Sequence, residues 1–171
     1  MTRMRIPNSR ALPPAIFLTF AIFTTNLALQ AKDPPPDVCA LLPVGQLAKV
    51  LGQPFGPPAK TTAPAAAQDH VTGTDCIYQT GAGLPRKLLF RIYLDPSPAV
   101  AKDTLNQLSA YFGPNTTVTG NWDNAYLDAR HAIHVQKGKV RYYLDIDPIG
   151  TDTAKAEKQL KALATQVAAQ L

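Results

Sequence analysis

The chain has 171 residues, 46% of them apolar and 17% charged, with 16 Pro, 10 Gly and 2 Cys. That is enough apolar mass for one packed core and excludes a wholly disordered chain. Two cysteines exclude a disulfide-stapled miniprotein or a four-cysteine zinc module, and the net charge of +5 is inflated by arginines at the very start.

Residues 1–31 have the form of a secretory signal peptide. Arg3, Arg5 and Arg10 precede an uncharged apolar run from Ala15 to Leu29, and Leu29-Gln30-Ala31 ends on a small residue. The alternative is an uncleaved anchor. The run of 15 residues contains Thr and Asn and follows Pro13-Pro14, which is short of the roughly 20 apolar residues of a span. No cysteine stands directly behind the run, so a lipid anchor is disfavoured. Cleavage leaves 14 basic and 12 acidic side chains, a net +2 that gives no reason to expect nucleic-acid binding. The expectation is an exported protein, periplasmic or extracellular, with no stable membrane span after cleavage.

Export bears on the cysteines. Cys39 and Cys76 stand 37 positions apart in the mature part and would meet an oxidising space. A Cys39–Cys76 bridge is expected; two buried thiols or a catalytic cysteine are the alternatives.

Residues 32–38 read as a charged, proline-rich linker, and residues 39–171 as a single domain. Pro43 can open a short helix that runs to Leu51 and stops at Gly52. Gln53 to Ala67, with four prolines, reads as irregular. Thr74 to Thr80 reads as a strand, and Gly81 to Pro85 as a turn. The next strand alternates, with Leu88, Phe90, Ile92 and Leu94 on one face and Lys87, Leu89, Arg91 and Tyr93 on the other. Asp95-Pro96 ends it. Ser97 then caps a helix with Pro98 at its first position, and Val100, Ala101, Leu105, Leu108, Tyr111 and Phe112 form its apolar stripe.

A short strand at Thr116 to Thr119 and a turn lead into a hairpin. Placing its turn at Lys137-Gly138 pairs Val135 with Val140 and Ile133 with Tyr142 on one face. His134 then meets Arg141, and Ala132 meets Tyr143, on the other. The last helix, Asp152 to Gln170, aligns Ala156, Leu160, Leu163, Ala164, Val167 and Leu171, and Glu157 can pair with Lys161. Strand-Asp-Pro-helix occurs twice, at Asp95-Pro96 and at Asp147-Pro148, as two pseudo-symmetric halves would require; generic helix patterning explains it nearly as well. The element order predicts an α+β domain, a mainly antiparallel sheet with helices packed on it.

Three short motifs carry a resemblance. They are Cys39-Ala40-Leu41-Leu42-Pro43, Cys76-Ile77-Tyr78, and Gly120-Asn121-Trp122-Asp123-Asn124-Ala125-Tyr126 with the later Lys137-Gly138. Together they resemble small exported or lipid-anchored bacterial proteins grouped as domains of unknown function, some with a PsbP-like fold. Trp122 stands where that family has a glycine. The resemblance implies the fold and lends support to the disulfide, and it carries no catalytic residue.

Chemistry-bearing residues are sparse. His131 and His134, three apart on a strand, would point to opposite faces, and His70 lies in the irregular segment, so no metal site is expected. Asp145-Ile146-Asp147 begins like a calcium loop but lacks its later ligands. No Gly-x-Ser-x-Gly, phosphate loop or carboxylate pair is recognisable, so no enzyme activity and no cofactor are expected. What remains is a row of basic and aromatic residues on outward strand faces: Lys87, Arg91, Tyr93, Lys139, Arg141 and Tyr143. If the strands are neighbours, that face suits a protein or an anionic envelope component, although an ordinary solvated face is the simpler reading. The sequence thus points to an exported, non-catalytic binding or interaction domain. A carrier of a small apolar ligand, with Phe90, Tyr111 and Trp122 lining its pocket, is the second reading, and a small hydrolase or metalloenzyme the third.

Overall fold

Alternating side chains build a seven-stranded antiparallel sheet, seen in a computed structural model that describes residues 37–63, 73–81, 86–113, 115–148 and 151–171. The leader, its cleavage site and His70 lie outside the described residues. The elements are α1 (Val38–Leu41), α2 (Val44–Leu51), β1 (Ala59–Ala63), β2 (Gly73–Gln79), β3 (Lys87–Leu94), α3 (Pro98–Tyr111), β4 (Thr116–Thr117), β5 (Asn124–Leu127), β6 (Ile133–Lys137), β7 (Val140–Asp147) and α4 (Thr153–Ala168). Their spatial order in the sheet is β1-β2-β3-β7-β6-β5-β4, each pair antiparallel. The α+β class is as expected.

One face of the sheet carries the main core. Leu88, Phe90 and Ile92 of β3, Tyr142, Leu144 and Ile146 of β7, and Ile133 and Val135 of β6 are buried against Leu160, Leu163, Ala164 and Val167 of α4. Each such side chain contributes roughly 1.5–3 kcal/mol by leaving water. The two N-terminal helices lie on this same face. Cys39 of α1 is bonded to Cys76 of β2, Tyr78 donates to the Leu42 carbonyl at 2.6 Å, and Gln170 donates to the Leu41 carbonyl at 2.8 Å.

Side-chain caps set three of the helix starts. Asp37, Ser97 and Asp152 accept from the backbone N–H groups of Cys39, Val100 and Lys155. Gly52 takes φ +71° just past the end of α2, a left-handed value that a side chain would strain.

Helix α3 packs on the other face of β6 and β7, where Asn106 meets Asn124 and Phe112 meets His134. Helices α3 and α4 therefore follow their Asp-Pro strands to opposite faces. A two-fold axis through the β3–β7 pair would place both on one face, so the two halves are not pseudo-symmetric.

Other differences from the sequence reading are local. The irregular stretch contains edge strand β1, and the turn expected between the Thr116 strand and the hairpin runs into strand β5. Val100 and Tyr111 leave the α3 stripe, at 38% and 78% exposure, because only Ala101 and Leu105 reach the sheet fully. Leu171, beyond the end of α4, is 36% exposed. The hairpin keeps its predicted faces, but its two-residue turn is Gly138-Lys139, so Val135 opposes Tyr142 and Ile133 opposes Leu144. Gly138 has φ +55°, and glycine is favoured at the first central position of such turns.

Candidate functional site: the polar face of the sheet

Direct cross-strand partners form one polar row on the face opposite the main core. It runs Thr61, Asp75, Arg91, Tyr143, His134, Tyr126, Thr117 from β1 to β4. Such opposed pairs are the unit of side-chain interaction in antiparallel sheets. A second, shorter row places Tyr93 against Arg141 and Arg141 against Gln136. The sheet therefore gathers Arg91, Tyr93, Arg141 and Tyr143 on one face, as alternation requires. Lys87 is exposed at the start of β3 opposite Asp147, and Lys139 sits in the hairpin turn, away from that group.

The face is not a bare cationic surface. Arg91 donates from Nε and a terminal nitrogen to the two oxygens of Asp75, at 2.7 and 2.8 Å. The Asp75 hydrogen bonds raise the Arg91 pKa above its already high ordinary value. Arg141 makes the same forked contact with Asp95, at 2.6 and 3.0 Å, and its guanidinium lies 4.9 Å from the Tyr93 ring centre. Exposure separates the pairs: the Arg91 side chain is 24% exposed, whereas those of Arg141 and Asp95 are 3% and 0% exposed. The expectation that both arginines stand outward in solvent is corrected for Arg141, whose charge is buried and consumed by Asp95.

His134 is held in an aromatic sandwich under α3. Its ring stacks on Tyr126 at 4.6 Å, with Tyr143 at 4.7 Å and Phe112 at 5.5 Å. Its Nε2 meets Asp128 Oδ2 at 3.1 Å, and Asp128 Oδ1 accepts the backbone N–H groups of Arg130 and Ala132. His131 is in the turn before β6 rather than on the strand, at φ +66°, and its Nδ1 contacts Glu157 at 2.6 Å. Glu157 thus serves His131 in place of the expected Lys161. His131 and His134 each have their own carboxylate, and the described residues hold no cluster of three metal-ligating side chains.

Burial alone would raise the Asp128 pKa, but the hydrogen bonds from His134, Ala132 and Arg130 outweigh it and hold that carboxyl below its ordinary range. A lowered folded pKa contributes stability above about pH 4, the unfolded value, and loses it as pH falls through the folded pKa. Asp128→Asn is therefore expected to lower the melting temperature at pH 7 and to differ less from the parent near pH 3. Melting curves at the two pH values check this, and an equal deficit at both would contradict it.

The pocket expected of a carrier does not assemble from its three named residues. Phe90 is fully buried in the main core, and Tyr111 is 78% exposed on α3. Trp122 donates its indole N–H to the Val118 carbonyl and lies over Gly120, where an added Cβ would come within 2.3 Å of the ring. Gly120 thus makes room for the tryptophan. Asp123 in the same turn accepts from Gly138 N at 2.7 Å and ties this turn to the hairpin.

Asp75, Asp95 and Asp128 are the side chains that the sequence reading left without a role. Asp75 offered a signal, since aspartate is disfavoured in mid-strand and an arginine alternates onto the same face of the neighbouring strand. Asp95 offered none, because Asp-Pro after a strand reads as a terminator. No protein-family model matches the sequence, and a search of curated proteins finds no match.

Proposed function

We propose that the chain is an exported, non-catalytic binding domain that docks a protein partner on the second face of β1–β3. The observation that carries this reading is the composition of that surface. Ile77, Leu89, Tyr93 and Tyr143 are partly exposed around the neutralised Asp75–Arg91 pair, while α3 packs on β6 and β7 instead. Tyrosine and arginine amid apolar side chains are the residues that dominate protein interfaces. An anionic envelope component is the weaker partner here, because it would have to displace a carboxylate from each arginine.

The Cys39–Cys76 bond fits an oxidising compartment and hence export through residues 1–31. The α1 disulfide and the Asp123 tie between two turns support kinship with the PsbP-like two-cysteine proteins.

Two measurements test this. N-terminal sequencing of the secreted protein is expected to begin at or near Lys32, and retention of Met1 would show an anchor instead. Ile77→Glu with Leu89→Lys places opposite charges on directly paired positions and sets the new cation opposite Asp145 of β7, which spares the sheet while changing the surface. A partner recovered from the extracellular fraction on immobilised parent protein should be lost on this variant at unchanged melting temperature. Retention of that partner would overturn the docking face.

A further inference from the structure

On the opposite side of the molecule, α2 and α4 enclose an open groove of about 700 Å³. Gln46, Lys49 and Val50 of α2 and Lys155, Lys158, Gln159, Ala162 and Gln166 of α4 line it. On α4 these positions form one stripe beside the buried one, so helical periodicity alone lays the lysines along a single wall.

The charge is unbalanced. Among the described residues no acid lines the groove, and no carboxylate lies within ion-pair distance of Lys49, Lys155 or Lys158. Helix α2 has no acid at all, and the glutamate of α4, Glu157, is held by His131. Three exposed cations along a concave, partly apolar wall make a local positive potential that attracts an anion. One hydrogen bond fixes the two walls relative to each other, since Gln159 spans the helices by donating to the Val50 carbonyl at 3.0 Å.

We infer that this groove binds an acidic, extended peptide segment of a partner protein. From Lys155 to Gln166 the wall is about 16 Å long at 1.5 Å per helical residue, the length of roughly five residues of extended peptide. Carboxylates meet the lysines, and aliphatic stems lie on Val50 and Ala162. An acidic polysaccharide fits less well because the lining holds no aromatic ring for a sugar face. An anionic membrane fits less well because the surface is concave. The site is separate from the sheet face and does not depend on it.

The test is fluorescence anisotropy with a labelled hexapeptide of alternating Glu and Ala. Saturable one-to-one binding that weakens with added salt is expected for the parent. Lys49→Gln/Lys155→Gln/Lys158→Gln should weaken it about tenfold or more, as loss of three charge contacts requires. Ala162→Phe keeps every charge but fills the groove, and should weaken binding as well; Lys102→Gln on α3 should not. Absence of saturable binding, or unchanged affinity in either groove variant, overturns the inference. So does tighter binding of oligogalacturonate or phosphatidylglycerol vesicles than of the peptide.

Discussion

Replacing Arg141 by alanine is expected to lower the stability of the protein by about 3–5 kcal/mol, the range found when one partner of a buried ion pair is removed. The cause is Asp95. Its side chain is 0% exposed and its two oxygens are held by the Arg141 guanidinium, so the truncation leaves a charge in the interior with its forked donor gone. The loss of a bulky stem against the Tyr93 ring adds to the cost. For a domain of this size the melting temperature should fall by about 10 °C or more. Asp95→Asn combined with Arg141→Met removes both charges and should recover much of the loss, because the pair contributes little net energy over an apolar substitute. Arg91→Ala should cost less, since the Arg91–Asp75 pair lies where water can enter. Urea titrations of the three variants measure this directly. An Arg141→Ala protein within about 1 kcal/mol of the parent would mean that the Asp95 carboxylate is not isolated.

Removing the Cys39–Cys76 bond is expected to cost about 4 kcal/mol, from the loop-closure entropy of a separation of 37 residues. The bond ties α1 to β2, and with it go the Tyr78–Leu42 and Gln170–Leu41 contacts that seat the N-terminal helices on the core. Cys39→Ala/Cys76→Ala should therefore unfold at markedly lower urea, and dithiothreitol should bring the parent to the same midpoint. Intact mass should rise by two hydrogens on reduction, and the unfolded, unreduced protein should take up no alkylating reagent. Two alkylatable thiols in that state would contradict the bond.

The sequence by itself determined most of the elements and, for the strands it marked, which face enters the core. Leu88, Phe90 and Ile92 alternate without interruption, Ser97-Pro98 and Asp152 mark helix starts, and the α4 stripe recurs at helical spacing. These are local signals, written within one turn or one strand by the geometry of the backbone. Alternation also sufficed to put Arg91, Tyr93, Arg141 and Tyr143 on one side. Two strands escaped because their pattern was too short or too polar. Edge strand β1, Ala-Lys-Thr-Thr-Ala, buries only its last residue, and β5 begins inside a turn-like Asn-Trp-Asp-Asn run.

Only the tertiary structure decided what those aligned residues do. Whether Arg141 is a solvated cation or a buried one depends on Asp95, 46 residues earlier, and on α3 closing over β6 and β7. Lys49 and Lys155 lie far apart in the chain, and neither helix alone shows that they share a groove. Periodicity reports the direction of a side chain but not what stands opposite it, because the opposing group comes from a distant segment brought in by strand order and helix packing. Burial, charge pairing and concavity are properties of that assembly, and with them go the energies that separate a binding surface from an ordinary one.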